Sequence, residues 1–137
     1  MKQEEQDLLL KSLCGRLPYG VKVLNTAENV NEISLIDSIY FGRDTLVGLT
    51  GENDSKLTGI EMIKPYLFPL SSITEEQKNE LVRKRLGYYQ VFEGIGKKFF
   101  FEIGYEVYDW LNEHHFDYRG LIEKGLAIDA TNMDVYK

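Results

Sequence analysis

His114 and His115, with Glu113 before them and Asp117 two residues on, form the one cluster in the sequence whose residue types suit metal binding or proton transfer. A neutral imidazole ligates metals, and an imidazole beside a carboxylate can serve as general acid or base. The spacing argues against both uses. Successive helical residues point about 100° apart, so one helix does not turn two adjacent rings to one ion, and the i, i+4 histidine pair of an HExxH helix is absent. The expectation is structural, with one ring packed at a helix end and the other hydrogen-bonded near the last carbonyls. A small hydrolase or metal-dependent enzyme using His114, His115 and Asp117 is the rival reading.

Three further features carry chemical potential and a plainer explanation. Cys14 could act as a nucleophile, yet it falls in phase with Leu10, Leu13 and Leu17, where a thiol is a small core hydrophobe. Gly94-Ile95-Gly96-Lys97-Lys98 resembles a phosphate loop, but Val91 stands where the first glycine belongs and no Ser or Thr follows the lysine. The basic stretch 83–98, with Arg83, Lys84, Arg85, Lys97 and Lys98 among Tyr88, Tyr89 and Phe92, has the cations and rings of a nucleic-acid surface. Charge distribution weighs against that use. Residues 1–60, 61–100 and 101–137 carry net charges of -3, +2 and -5, so the basic middle has acidic segments on either side to neutralise it.

The acidic row Glu106, Asp109 and Glu113 lies on one face of the helix expected from about Ile103 to His115, with no Lys or Arg three or four residues away. Like charges so placed attract a basic surface, either Arg83 to Arg85 and Lys97 and Lys98 of the same chain or an external partner. This row is the expected partner-binding site.

The elements that position these residues follow from periodicity. Leu9, Leu10, Leu13, Cys14 and Leu17 predict a helix over Gln3 to Leu17, and Glu4, Glu5 and Asp7 suit its N-terminus. Gly15 and Pro18 punctuate it. From Gly20 the period becomes two, with Val21 and Val23 on one side and Ile33, Leu35, Ile39 and Phe41 sharing a face of a later strand. Asp37 is in phase with that face, which would bury an unpaired carboxylate at several kcal/mol, so a bulge or kink is expected there. Gly42-Arg43-Asp44 reads as a hairpin connection, Gly51 to Ser55 as a turn and Gly59 to Ile63 as a further strand.

Pro65 and Pro69 predict an extended covering strap over 64–73. Thr74, with Gln77 three residues on, opens a helix running to Arg83-Lys84-Arg85 and stopped by Gly87. Residues 88–101 suggest a β-hairpin through Gly94-Ile95-Gly96. Asp117 is the expected N-cap of a short last helix, Tyr118 to Lys124, with Leu126 to Ala130 extended after it and 131–137 a fraying tail.

With 137 residues, 43% of them hydrophobic, the chain can bury one core without disulfides or metal. It reads as a single domain: helix and β region over 1–63, the strap, a mainly helical part over 74–130, then the tail. No apolar run approaches the length of a membrane span and no leader pattern is visible, so a reducing cytoplasm is expected for the single cysteine.

Leu17-Pro18-Tyr19-Gly20-Val21-Lys22, the stretch from Lys64-Pro65-Tyr66-Leu67-Phe68-Pro69 to Glu76, and Asp109-Trp110-Leu111-Asn112 through His114-His115-Phe116-Asp117 to Ile122 carry a resemblance. Together, in this order, they resemble an uncharacterised family of small proteins encoded by gut Bacteroides and their phages or mobile elements. The family has no assigned activity, so the resemblance implies an accessory protein for which partner binding is commoner than catalysis. The reading is an α+β domain with an N-terminal helix, a small antiparallel sheet with an SH3-like barrel as one option, and C-terminal helices. The expected function is a non-catalytic protein-interaction module with no cofactor and no metal, a protein as partner ahead of nucleic acid, and no membrane.

Overall fold

The computed structural model describes residues 1–27, 32–51, 55–83 and 105–136, with side chains except at 81–83, 105 and 106. The hairpin expected over 88–101, the loop at Gly94-Ile95-Gly96 and all of the basic stretch beyond Arg83 lie outside the described residues.

Helix α1 spans Gln3–Arg16 and begins where the sequence places its acidic turn; the Glu5 carboxylate accepts from the Lys2 amide at 3.1 Å. Its buried residues are Leu9, Ser12, Leu13 and Arg16, an i, i+3, i+4, i+7 stripe. That stripe is rotated from the expected one, and Cys14 is exposed. Two polar residues take the buried face because they satisfy each other: Arg16 Nε donates to Ser12 Oγ at 3.1 Å, and Arg16 Nη2 donates to the Phe116 carbonyl at 2.5 Å. Gly15 does not end the helix. A Cβ there would lie 3.1 Å from Asn112 Nδ2, so the glycine permits close approach of a later helix. The chain leaves α1 through a 3-10 turn, Leu17–Tyr19, and Gly20 at φ 72.

The strands are β1 (Lys22–Asn25), β2 (Glu32–Tyr40), β3 (Leu46–Thr50), β4 (Ser55–Gly59) and β5 (Ile63–Pro69), followed by the short β6 (Phe116–Asp117) and β7 (Ile128–Asp129). They form one open sheet in the order β4-β3-β2-β1-β5-β6, with β7 also on β5. The first five pair antiparallel, whereas β6 and β7 run parallel to β5. The domain is therefore α+β with a mixed sheet, and the described strands do not close into a barrel. Gly42 to Asp44 connects β2 to β3 as expected. Ile60–Met62 is a 3-10 turn rather than the start of a strand.

The proline segment is the largest departure from expectation. It is an interior strand and not a strap. Thr26 N donates to the Met62 carbonyl at 2.9 Å, and Leu24 pairs with Lys64. Hydrogen-bonded positions alternate along an antiparallel pair, so the Pro65 nitrogen faces away from β1 and its missing donor costs that ladder nothing.

Helix α2 (Glu75–Arg83) opens with the expected box: the Thr74 amide donates to Gln77 Oε1 at 2.9 Å and the Gln77 amide to Thr74 Oγ1 at 3.2 Å. Helix α3 spans Tyr105–Glu113. No second C-terminal helix follows, because residues 121–125 form a turn.

The register separates the sheet into two faces. The inner face carries Val23, Ile36, Val47, Leu49, Ile63 and Leu67, and it joins Leu9 and Leu13 of α1 with Leu121, Leu126 and Ala127 in one core. A second cluster seats Val107, Trp110 and Leu111 of α3 against Leu70, Ile73 and Phe116. A third lies on the outer face, where Tyr66 is covered by Ala130 and Val135, with Leu24, Phe68 and Tyr136 alongside. The segment expected to fray is thus docked, since Tyr136 and Val135 find an apolar sheet face to cover.

Candidate interaction surfaces

The outer face is only half covered. Ala130, Val135 and Tyr136 lie over β1 and β5, while over β2 to β4 Ile33 and Leu57 remain 49% and 62% exposed, with Leu35 exposed next to Ile33 on β2. Leu24 pairs with Ile33, so the covered and uncovered halves meet. Tyr40 and Phe41 extend the exposed apolar surface to the end of β2.

A β-bulge shapes this half. Ile36 pairs with Leu49 and Ser38 with Gly48, which leaves Asp37 as the extra residue. The bulge falls where the sequence calls for one, but the face assignment reverses: Ile33 and Leu35 point outward before it, and Ile39 turns toward the core after it. Asp37 is exposed, with Thr50 Oγ1 and Ser38 Oγ donating to its carboxylate. Those two bonds hold it below the usual carboxylate range, the Thr50 bond most strongly. Gly48 accommodates the bulge, because a Cβ would stand in the space of Ser38 Oγ and Asp37 Oδ1. An open depression forms over Gly48, bounded by Asp37, Tyr40, Ser55 and Leu57.

The acidic row has a simpler setting. Asp109 and Glu113 are exposed on α3, opposite the buried Val107, Trp110 and Leu111. Neither takes part in an ion pair among the described residues. Glu106 belongs to the same helix, with its side chain outside the description.

His114, His115 and Asp117 do not converge on a common point. His114 Nδ1 lies 3.0 Å from the Trp110 carbonyl, and its ring stacks on Trp110 at 4.2 Å. His115 carries a φ of 63, the left-handed conformation that lets α3 turn into β6 within two residues. Its ring is buried and stacked on Tyr136, with centroids 3.7 Å apart and planes 11° from parallel. Burial, with the positive charges of Arg16, His114 and Lys22 added, pushes His115 down to about 4.

Asp117 does accept the amides expected of it, though they cap a turn rather than a helix. Its Oδ1 takes Arg119 N at 3.3 Å and Leu121 N at 3.0 Å, and its Oδ2 takes Ile122 N at 2.9 Å. Gly120 at φ 75 bends the chain there, which prevents a continuous helix from Tyr118. Among the described residues no three His, Cys, Asp or Glu side chains are gathered as metal ligands.

Arg16 is the functional-looking residue that sequence reasoning missed. It is fully buried, its guanidinium lies 5.5 Å from the Tyr118 ring centroid, and its Nη1 has no partner. Burial pulls Arg16 down to about 10, against the opposing pull of Tyr118 and Asp117. Nothing in its local sequence marks it, since a basic residue in the last turn of a helix is usually a solvated complement to the dipole.

No helix among the described residues is long and apolar enough to cross a membrane. No protein-family model matches the chain, and neither a curated protein nor a solved structure matches it.

Proposed function

We propose that this chain is a non-catalytic protein-interaction module that docks a partner on the uncovered half of the outer sheet face. The observation that carries this reading is the exposure of Ile33 and Leu35 on β2 and of Leu57 on β4, all on the outer face, beside a half that the chain covers for itself. The partner is a protein with an apolar contact surface rimmed by basic groups. Its apolar part answers the leucine and isoleucine side chains, and its charge answers Asp37 and a chain of net charge -6. The three stretches that resemble the accessory-protein family, and the single unpaired cysteine, support such a role in a reducing cytoplasm.

The hydrolase or metalloenzyme alternative finds less support, because His114, His115 and Asp117 are each engaged by backbone or ring contacts that leave no shared space for a substrate. The acidic row of α3 is the second surface, with exposed Asp109 and Glu113 as its observed members.

The test is crosslinked capture from the cells that encode the protein, using three forms of it. Leu35→Asp with Leu57→Asp is expected to lose the captured partner while the fold persists, and Asp109→Lys with Glu113→Lys to retain it. The reverse pattern would move the site to α3. Retention by both would remove the reading.

A further inference from the structure

The segment covering the other half of the outer face is held in an unusual way. Among the described residues, the ties of 131–136 to the sheet run through side chains. Lys22 Nζ donates to the Val135 carbonyl at 2.7 Å, the Lys22 amide donates to Tyr136 Oη at 3.0 Å, and Tyr136 Oη donates to the Tyr66 carbonyl at 2.8 Å. The Tyr136 ring is held face to face by His115. The Tyr136 phenol and Lys22 are thus two of the fastenings of the segment, beside the Thr131 bonds to Asp129, and the histidine against that phenol has a buried Nδ1 with no hydrogen-bond partner.

We propose that residues 131–136 form a proton-released latch: protonation of His115 loosens its stack on Tyr136, and lifting the latch extends the exposed apolar face from Ile33 and Leu35 to Leu24 and Tyr66.

The geometry makes the charged imidazole a poor occupant of this place. A proton on Nδ1 would have no acceptor, and the ring is largely, though not wholly, removed from water. The charged groups that act on it among the described residues are Arg16 from α1, Lys22 from β1 and His114 beside it, and each disfavours its protonation. Asp117 acts on Arg16, but its carboxylate is already taken by three amides. Tyr136 and Tyr66 are neutral across the relevant range, since burial raises both. An imidazolium over a phenol gains some cation–π attraction. The lost hydration and the neighbouring positive groups outweigh it, which is the direction in which His115 is shifted.

The sign follows. The latched state holds His115 at about 4 against 6.5 when free, so it binds fewer protons than the open state. Latching is complete above the free value and weakens as pH falls from 6.5 toward 4. The His115 ring is partly reachable by solvent screening, so between about pH 7.5 and about pH 5.5 the open-to-latched ratio should rise about three- to tenfold rather than more. A role for this release in docking rests on the interaction reading above; the release itself does not, and it is measurable with no partner present.

Hydrogen exchange with mass spectrometry on the full chain tests it. After correction for intrinsic rates, the amides of the latch and of Lys22 should exchange about three- to tenfold faster at about pH 5.5 than at about pH 7.5, with α1 and β3 unchanged. His115→Phe and His115→Asn, the second chosen because asparagine tolerates a positive φ, should each abolish that difference. The proposal is overturned if the wild-type latch shows no acceleration, if either folded variant keeps it, or if α1 and β3 accelerate equally. Should both variants fail to fold, NMR of the unaltered chain decides: Tyr136 ring signals that move with the His115 titration, at a midpoint below that of a free histidine, uphold the latch, and Tyr136 signals that stay fixed through it overturn it.

Discussion

The two faces of the sheet are closed by different physics. On the inner face, α1 and the turn 121–127 bring side chains that leave Leu9, Leu13, Val47, Leu67 and Leu121 with no exposed surface. On the outer face, cover stops halfway, and it is tied down in part by the polar contacts of Lys22 and Tyr136 and by the His115 ring. The inner face is where stability resides. The outer face is where the molecule can change its surface without losing its fold, because a cluster of three buried residues can be given up more cheaply than a continuous core.

The sharpest way to break this contrast is to truncate one leucine on each side. Leu67→Ala, on the inner face of an interior strand, should cost about 2–5 kcal/mol in chemical denaturation, whereas Leu57→Ala on the outer face should stay within about 0.5 kcal/mol. Comparable losses at the two positions would mean that the outer half is covered after all.

Asp117 tests how the inner lid is built. Its carboxylate organises the turn that delivers Leu121, Leu126 and Ala127 to the core. Asp117→Ala should cost about 2–3 kcal/mol, since three amides lose an ionised acceptor. Asp117→Asn should cost less, because an amide oxygen can still serve Arg119 and Leu121. Equal losses in thermal melts of the two variants would show that charge, not acceptor geometry, holds the turn.

The same contrast explains what was legible in the sequence. Local devices were: the acidic start of α1, the Gly42 to Asp44 connection, the Thr74 capping box, the bulge forced by Asp37 and the acceptor role of Asp117 all follow from residues within a few positions of one another. What depended on distant partners was not. The prolines mark β5 as extended, but an interior place needs the parallel pairings with β6 and β7, whose partners lie 48 and 62 residues later. The bulge was visible, yet which side of β2 faces the core was decided by α1 and residues 121–127. Arg16 and Cys14 exchanged roles for a similar reason: the Phe116 carbonyl, a hundred positions away, makes a buried guanidinium tolerable, and no spacing within α1 announces it. The His115 stack is equally nonlocal, because half of it comes from the tail.

Gly48 probes the exposed half directly. Gly48→Ala would drive a methyl group into Ser38 and Asp37, and it should cost about 1–2 kcal/mol by denaturant titration as the bulge shifts to make room. Partner capture should weaken with it, since the depression over Gly48 belongs to the proposed surface. A stability loss without a binding loss would separate the bulge from the docking site.

The smallest effect is expected at Cys14, on the outward side of the helix that lids the inner face. Exposure predicts that Cys14→Ser changes stability by no more than about 0.5 kcal/mol, in contrast to the buried Leu13 beside it. Partial burial still raises the thiol above its ordinary range, so a disulfide reagent should label the native protein completely but more slowly than it labels the unfolded chain at the same neutral pH. Labelling that required unfolding would put Cys14 back on the core stripe, rotate α1 about its axis and withdraw Arg16 from the Phe116 carbonyl. The contrast between the two faces would then need a different inner lid.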